Sequence, residues 1–319
     1  MKKKLLAIAL STIGAVGAVQ AGAVAQSSLQ ILNLTLSNAA TGVTLNAAQF
    51  DLLQITDTTN LNPTVTPGGA NPFANASAMG APLPLTVVCF PVACPAALLP
   101  GTPFANATTP ATVNGALAAS ELVNAPITGL ATPYNGGVDA RTNSVAERIS
   151  TGSASTTSAL DLAVQFSFSL QNDLAVGINF DAIAHLLAFL DSQTSATTGL
   201  TWTANLVNHD TGAQIFSWSP NGGVGGISGI AGTAELLDPC TLNRTLGALG
   251  PTANFSYDCS GAFAARTGVL LAANTYDFSI NHQNNASVVV HRVPEPSMLS
   301  LLGLALAGIG FTTRRKSKA

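Results

Sequence analysis

Asp181 and His185 stand four residues apart. On a helix that spacing sets a base beside its orienting acid, the arrangement of general acid–base chemistry. A strand would also place both on one face, and no motif ties a serine or cysteine nucleophile to them. A packed or surface histidine is the expected role. The glycine run 222–232, GGVGGISGIAG, fails as a nucleotide loop because the third glycine is missing at Ser228. It fails as a nucleophile elbow because Ile230 stands where glycine is required. No EF-hand, HExxH, P-loop or CxxC pattern occurs, so neither metal nor cofactor is expected. Trp202 and Trp218 are the candidate sugar-stacking residues, provided that they are exposed; tryptophans on alternating strands more often belong to a core.

Cys89, Cys94, Cys240 and Cys259 are even in number, and a chain that folds outside the cytoplasm meets an oxidising compartment. Three pairings are open. The local ones, Cys89–Cys94 and Cys240–Cys259, are favoured because each closes a proline- or turn-rich segment. The C-x4-C and C-x18-C spacings match no zinc finger or ribbon.

The elements that must position these residues read as strands. LQILNLTL at 29–36 alternates, and a turn near Gly42 leads to a second strand around 43–55. Residues 62–133 are proline-rich, which suits edge strands and long loops, and NPFANAS at 71–77 returns as TPFANAT at 102–108. In ALDLAVQFSFSL, 159–170, Leu160, Leu162, Val164, Phe166, Phe168 and Leu170 share one face. TGLTWTANLVNHDTGAQIFSWSP reads as a hairpin turning at Asp210-Thr211-Gly212, with Leu200, Trp202, Ala204 and Leu206 on one face. FDAIAHLLAFLD fits a helix stripe or a strand buried on both faces, and its neighbours favour strand. The last two strands, TYDFSIN and SVVVHRV, are joined by HQNNA. The sum is an all-β sandwich, jelly-roll-like, with proline-rich loops.

Both ends carry targeting chemistry. Lys2, Lys3 and Lys4 precede an apolar stretch, Leu5 to Val19, and Ala23-Val24-Ala25 fits an A-x-A cleavage site before Gln26; Ala21 offers a second site. This is a secretory signal peptide, 1–25, implying the Sec translocon and a signal peptidase as partners. It leaves an ectodomain over 26–292. At the other end, 297–313 is free of charge and seventeen residues long, about 25 Å as a helix. That is a short transmembrane helix, and flanking bases can snorkel to cover the mismatch. Arg314, Arg315, Lys316 and Lys318 follow it as a basic stop that stays on the cytoplasmic side. Pro294 and Pro296 fix φ and extend Val293 and Glu295, giving an accessible peptide beside the membrane.

Val293-Pro294-Glu295-Pro296, an apolar stretch and Arg314-Arg315-Lys316, in that order over 293–319, resemble the PEP-CTERM sorting signal of Gram-negative bacteria. The resemblance implies an exosortase, a membrane-embedded cysteine transpeptidase, as partner, and removal of the tail near the Pro-Glu-Pro. It implies a chain transiently anchored in the inner membrane, then released to a cell surface or matrix associated with exopolysaccharide and biofilm. INFDAIAHLLAFL, IFSWSPNG, GTAELLDPCTLN and LLAANTYDFSINHQNNASVVVHRVPEP are similar to the subfamily named for an EDSAP motif, which implies layout and no chemistry.

Between Leu5 and Arg314 there is no lysine; five arginines face fifteen carboxylates, a formal charge of −10. That balance argues against nucleic acid and anionic membrane surfaces as partners. Scattered titratable groups give no support to a catalytic site. The expectation is therefore a non-catalytic surface or matrix protein, binding extracellular polysaccharide or serving a structural role. The competing class is a secreted hydrolase acting on extracellular polysaccharide through two carboxylates.

Overall fold

The computed structural model describes residues 22–46, 49–54, 57–66, 74–78, 83–90, 104, 114–123, 138–161, 166–223 and 225–291. The body of the signal peptide, Cys94, much of the proline-rich region, the Pro-Glu-Pro and the predicted span and basic stop lie outside these residues. So do both copies of the internal echo in all but part.

Fifteen antiparallel strands and no α-helix make up the described chain. The central strand, β1 (Gly22–Asn38), lies between β10 (Leu174–Asn208) and β7 (Val138–Arg148). Beyond β7 come β6 (Gly115–Val123) and β5 (Leu83–Phe90). β14 (Arg244–Leu270) flanks the other side of β10. The second layer runs β4 (Ala74–Ala78), β3 (Asp57–Thr66), β8 (Gly152–Asp161), β15 (Thr275–Val290) and the later half of β10. β2 (Phe50–Gln54) and β9 (Phe166–Leu170) extend this layer along β15. β11 (Gln214–Trp218) closes a hairpin with the end of β10, and β12 (Ile227–Gly229) and β13 (Ala234–Leu237) are short edges. β10 passes from one layer to the other at the register break between Asp191 and Thr194. The expected all-β sandwich is found.

Alternation explains the two layers. On β1 the odd-numbered Ala23, Ala25, Leu29 and Ile31 are fully buried and face the second sheet. FDAIAHLLAFLD is strand, as favoured: Ala182, Ala184, Leu186, Ala188 and Leu190 face inward at about 1 % exposure or less. The hairpin also stands, with Leu200, Trp202, Ala204 and Leu206 buried and the bend at Gly212, φ +67°. There Asn208 accepts from the Thr211 backbone N–H at 2.9 Å, a side chain completing the turn.

On either side of 162–165, which lie outside the described residues, ALDLAVQFSFSL forms β8 and β9; these pair with successive stretches of β15, and Phe168 and Leu170 are buried. Two expectations need correction. The first strand is longer than 29–36: it begins at Gly22 and bulges at Asn33, a non-glycine at φ +55°. HQNNA is no connection; it lies inside the single sixteen-residue strand β15, with His282 and Asn284 fully buried.

The reason is a polar layer between the sheets. The Asn284 amide donates to the Ser27 carbonyl at 3.2 Å, the Thr142 carbonyl at 3.1 Å and the Thr142 hydroxyl at 2.8 Å. Thr198 Oγ1 donates to the Gln26 carbonyl at 2.6 Å, and Ser27 Oγ to the Gly199 carbonyl at 2.8 Å. Ser158 Oγ donates to the Asn143 carbonyl at 2.7 Å. Each of these small polar groups finds a partner across the sandwich, which offsets much of the desolvation cost of burying it, although Asn284 Oδ1 is left buried without one. Around them the packing is alanine-rich, from Ala23, Ala25, Ala146, Ala154, Ala188 and Ala196.

Candidate functional site

Trp202 and Trp218 are fully buried, so the sugar-stacking reading of these two residues is corrected. They meet edge to face with centroids 5.5 Å apart, and Phe180 packs on both at 4.6 and 5.4 Å and stacks on Phe263 at 5.1 Å. A ring closed on both faces offers no platform to a sugar. This aromatic group is the centre of the larger core.

Beside it, Cys240 and Cys259 form the expected disulfide, with Cα atoms 5.9 Å apart. It ties the segment after β13 to β14, where Tyr257 Oη donates to the Thr241 carbonyl at 2.9 Å and Arg244 lies 4.3 Å over the Tyr257 ring. Cys89 is also disulfide-bonded.

Asp181 and His185 are not partners. Both lie on β10, two residue pairs apart along its outer face, but each is held by a different neighbour. Asp181 Oδ2 is 3.5 Å from the Asn33 amide at the bulge of β1. His185 Nδ1 lies 2.7 Å from Asp258 Oδ1, its direct cross-strand neighbour on β14. Ser28 on β1 is in register with His185 on the opposite side. The row Ser28, His185, Asp258 thus has the residue types of a hydrolytic triad. Its middle is incomplete, because His185 Nε2 is buried and meets no hydrogen-bond partner. Ser28 also sits mid-strand between two paired neighbours, where ladder bonds occupy the backbone N–H groups that an oxyanion would need.

A carboxyl pair that sequence reading did not single out lies against Trp218. Glu235 Oε1 accepts from Trp218 Nε1 at 2.6 Å. Asp238 Oδ2 accepts from the backbone N–H groups of Asn221 and Gly222 at 2.8 and 2.9 Å, holding the glycine loop like a nest around an anion. The Asp238 carboxyl is a near neighbour of Glu235. Their remaining oxygens, Glu235 Oε2 and Asp238 Oδ1, are buried and meet no hydrogen-bond partner. Burial, with the neighbouring Asp238 charge, raises the Glu235 pKa. The i, i+3 spacing in AELLD was the available signal. It was weak because the pairing depends on a turn between the strand end and Cys240.

His282 is the other perturbed group. It is fully buried in the polar layer, its Nε2 lies 2.7 Å from Thr142 Oγ1, and burial lowers its pKa to about 3. It is a neutral structural imidazole. Among the described residues no cluster of three or more His, Cys, Asp or Glu side chains could hold a metal ion.

No curated protein and no solved structure matches the chain. The family comparison falls on the tail, beginning two residues after the end of β15. Residues 292–316 match the model of the PEP-CTERM protein-sorting motif, and the chain is thereby an exported, membrane-transiting protein with an exosortase as its processing partner.

Proposed function

We propose that the folded part is a non-catalytic, structural component of the cell surface or extracellular matrix of an exopolysaccharide-producing Gram-negative bacterium. The observation that carries this reading is the sorting motif joined almost directly to the last strand of a β-sandwich. A sandwich with this connection stands against the membrane until its tail is processed and is then released outside. Its fourteen carboxylates against five arginines over 26–292, a formal charge of −9, repel polyanions and leave neutral glycans or self-association as compatible contacts. With both tryptophans in the core, the structural version is favoured over sugar stacking.

The hydrolase reading has one observation in its favour, the Glu235–Asp238 pair. Glycosidases separate their two carboxyl groups by roughly 5 to 10 Å to admit a sugar carbon or a water. Here Glu235 is committed to Trp218 Nε1 and Asp238 to the loop backbone. That geometry suits a clamp better than a cleft.

The test is a deletion strain scored for matrix cohesion. Restoration is expected from the native gene and not from a form ending before Arg292. The protein recovered from the surface is screened in parallel against a glycan array and hydrolase substrates. Turnover abolished by Glu235→Gln would replace the structural reading with the enzymatic one.

A further inference from the structure

We infer that signal peptidase cuts after Ala21, so that the mature chain starts at Gly22 and not at Gln26. The inference rests on the export reading above, and it concerns a processing site that the motif at the other end does not address.

The A-x-A pattern at Ala23-Val24-Ala25 is the better sequence match, but those residues are part of the fold. Ala23, Val24 and Ala25 are 0, 2 and 0 % exposed. Each is paired on both sides: Ala23 with Leu190 and Arg148, Val24 with Phe189 and Glu147, Ala25 with Ala188 and Ala146. β1 is the strand between β10 and β7, so removing the three would open a gap in the interior of a sheet. Ladder groups on both neighbours would lose their partners, each lost bond leaving a buried donor or acceptor. Ala23 and Ala25 also belong to the alanine-rich core, and Val24 packs with Leu117, Val145 and Leu187 on the opposite face.

Charge separates the two sites further. Hydrolysis adds water across one peptide bond, leaving a carboxylate on the leader and an ammonium on the mature chain. Gly22 and Gln26 are both buried. At Gln26 the new ammonium would stand between Leu187 and Val145, in the middle of two ladders. An unpaired buried ammonium there carries a large desolvation cost. At Gly22 it stands at the first residue of the strand, in register with Asp191, a half-buried carboxylate. The opposite charge favours the ammonium at that position. Val19-Gln20-Ala21 supplies small residues three and one before the cut, so the enzyme's own requirement is met.

The full precursor is expressed in an exporting host, and the N-terminal peptide of the exported protein is identified by amine labelling and mass spectrometry. The expected terminus is Gly22, and Ala21→Leu, which alters only the leader, is expected to block processing and accumulate precursor. A terminus at Gln26 or at any other internal residue would overturn the inference while leaving export intact. So would an Ala21→Leu chain processed as well as the native one. An unprocessed Met1 terminus on the native chain would instead contradict the export reading on which the inference rests.

Discussion

Asn284 of β15 and Thr142 of β7 belong to different sheets and are joined twice, through the Asn284 amide to the Thr142 hydroxyl at 2.8 Å and to its carbonyl at 3.1 Å. The sandwich is thus held by directed bonds where most sandwiches rely on branched apolar side chains. Asn284→Ala removes three donor contacts and leaves acceptors buried. An unfolding free energy lowered by about 2 to 4 kcal/mol in chemical denaturation is expected. A change under about 0.5 kcal/mol would show that the polar layer is incidental.

His282 makes the fold acid-sensitive in a defined window. Its folded pKa is lowered to about 3, against an ordinary value of 6.5, so the unfolded chain binds the proton first. The stability it permits is fully present above about pH 6.5 and is lost progressively as pH falls towards 3, by roughly 3 kcal/mol at pH 4.5. Thermal unfolding of the native chain and of His282→Gln between pH 7 and 4.5 checks this. The variant should show the shallower loss.

Glu235 works in the opposite direction. Its folded pKa is raised, so its contribution is present at low pH and is lost as pH rises through that raised value. Glu235→Gln keeps an oxygen for Trp218 Nε1 and removes the charge that burial disfavours. The variant should be more stable than the native chain at pH 7 and equal to it near pH 4, read as melting temperature at the two pH values. Lower stability at both would contradict a carboxylate that burial disfavours.

The Cys240–Cys259 link closes a segment of 19 residues between the carboxyl clamp and β14. Chain entropy puts its contribution at about 3 kcal/mol. The double variant Cys240→Ser with Cys259→Ser is expected to unfold at correspondingly lower denaturant than the native protein.

Much of the fold was legible in the sequence where burial follows alternation. The face of Leu200, Trp202, Ala204 and Leu206 could be read directly, because period two and large apolar side chains coincide there. Reading failed where the interior is polar. His282 and Asn284 look like turn residues by type, and only partners from β1 and β7, some 140 to 257 residues away, make them core. The same long-range dependence hid the clamp of Glu235 and Asp238 and the pairing of His185 with Asp258. The start of β1 was misjudged for a different reason. Small residues suit both a cleavage site and a tightly packed central strand, and sequence type alone does not separate the two uses.

The central claim is that the tail is a sorting signal that is removed, and the C-terminal mass of the surface protein tests it most directly. Intact-mass measurement on material recovered from the cell exterior should find a chain lacking Arg314, Arg315, Lys316 and all that follows. Replacing Pro294 and Pro296 with alanine should leave a longer, membrane-retained form, because the extended grip beside the membrane is lost. A native surface protein that still carries its basic tail through Ala319 would contradict the account.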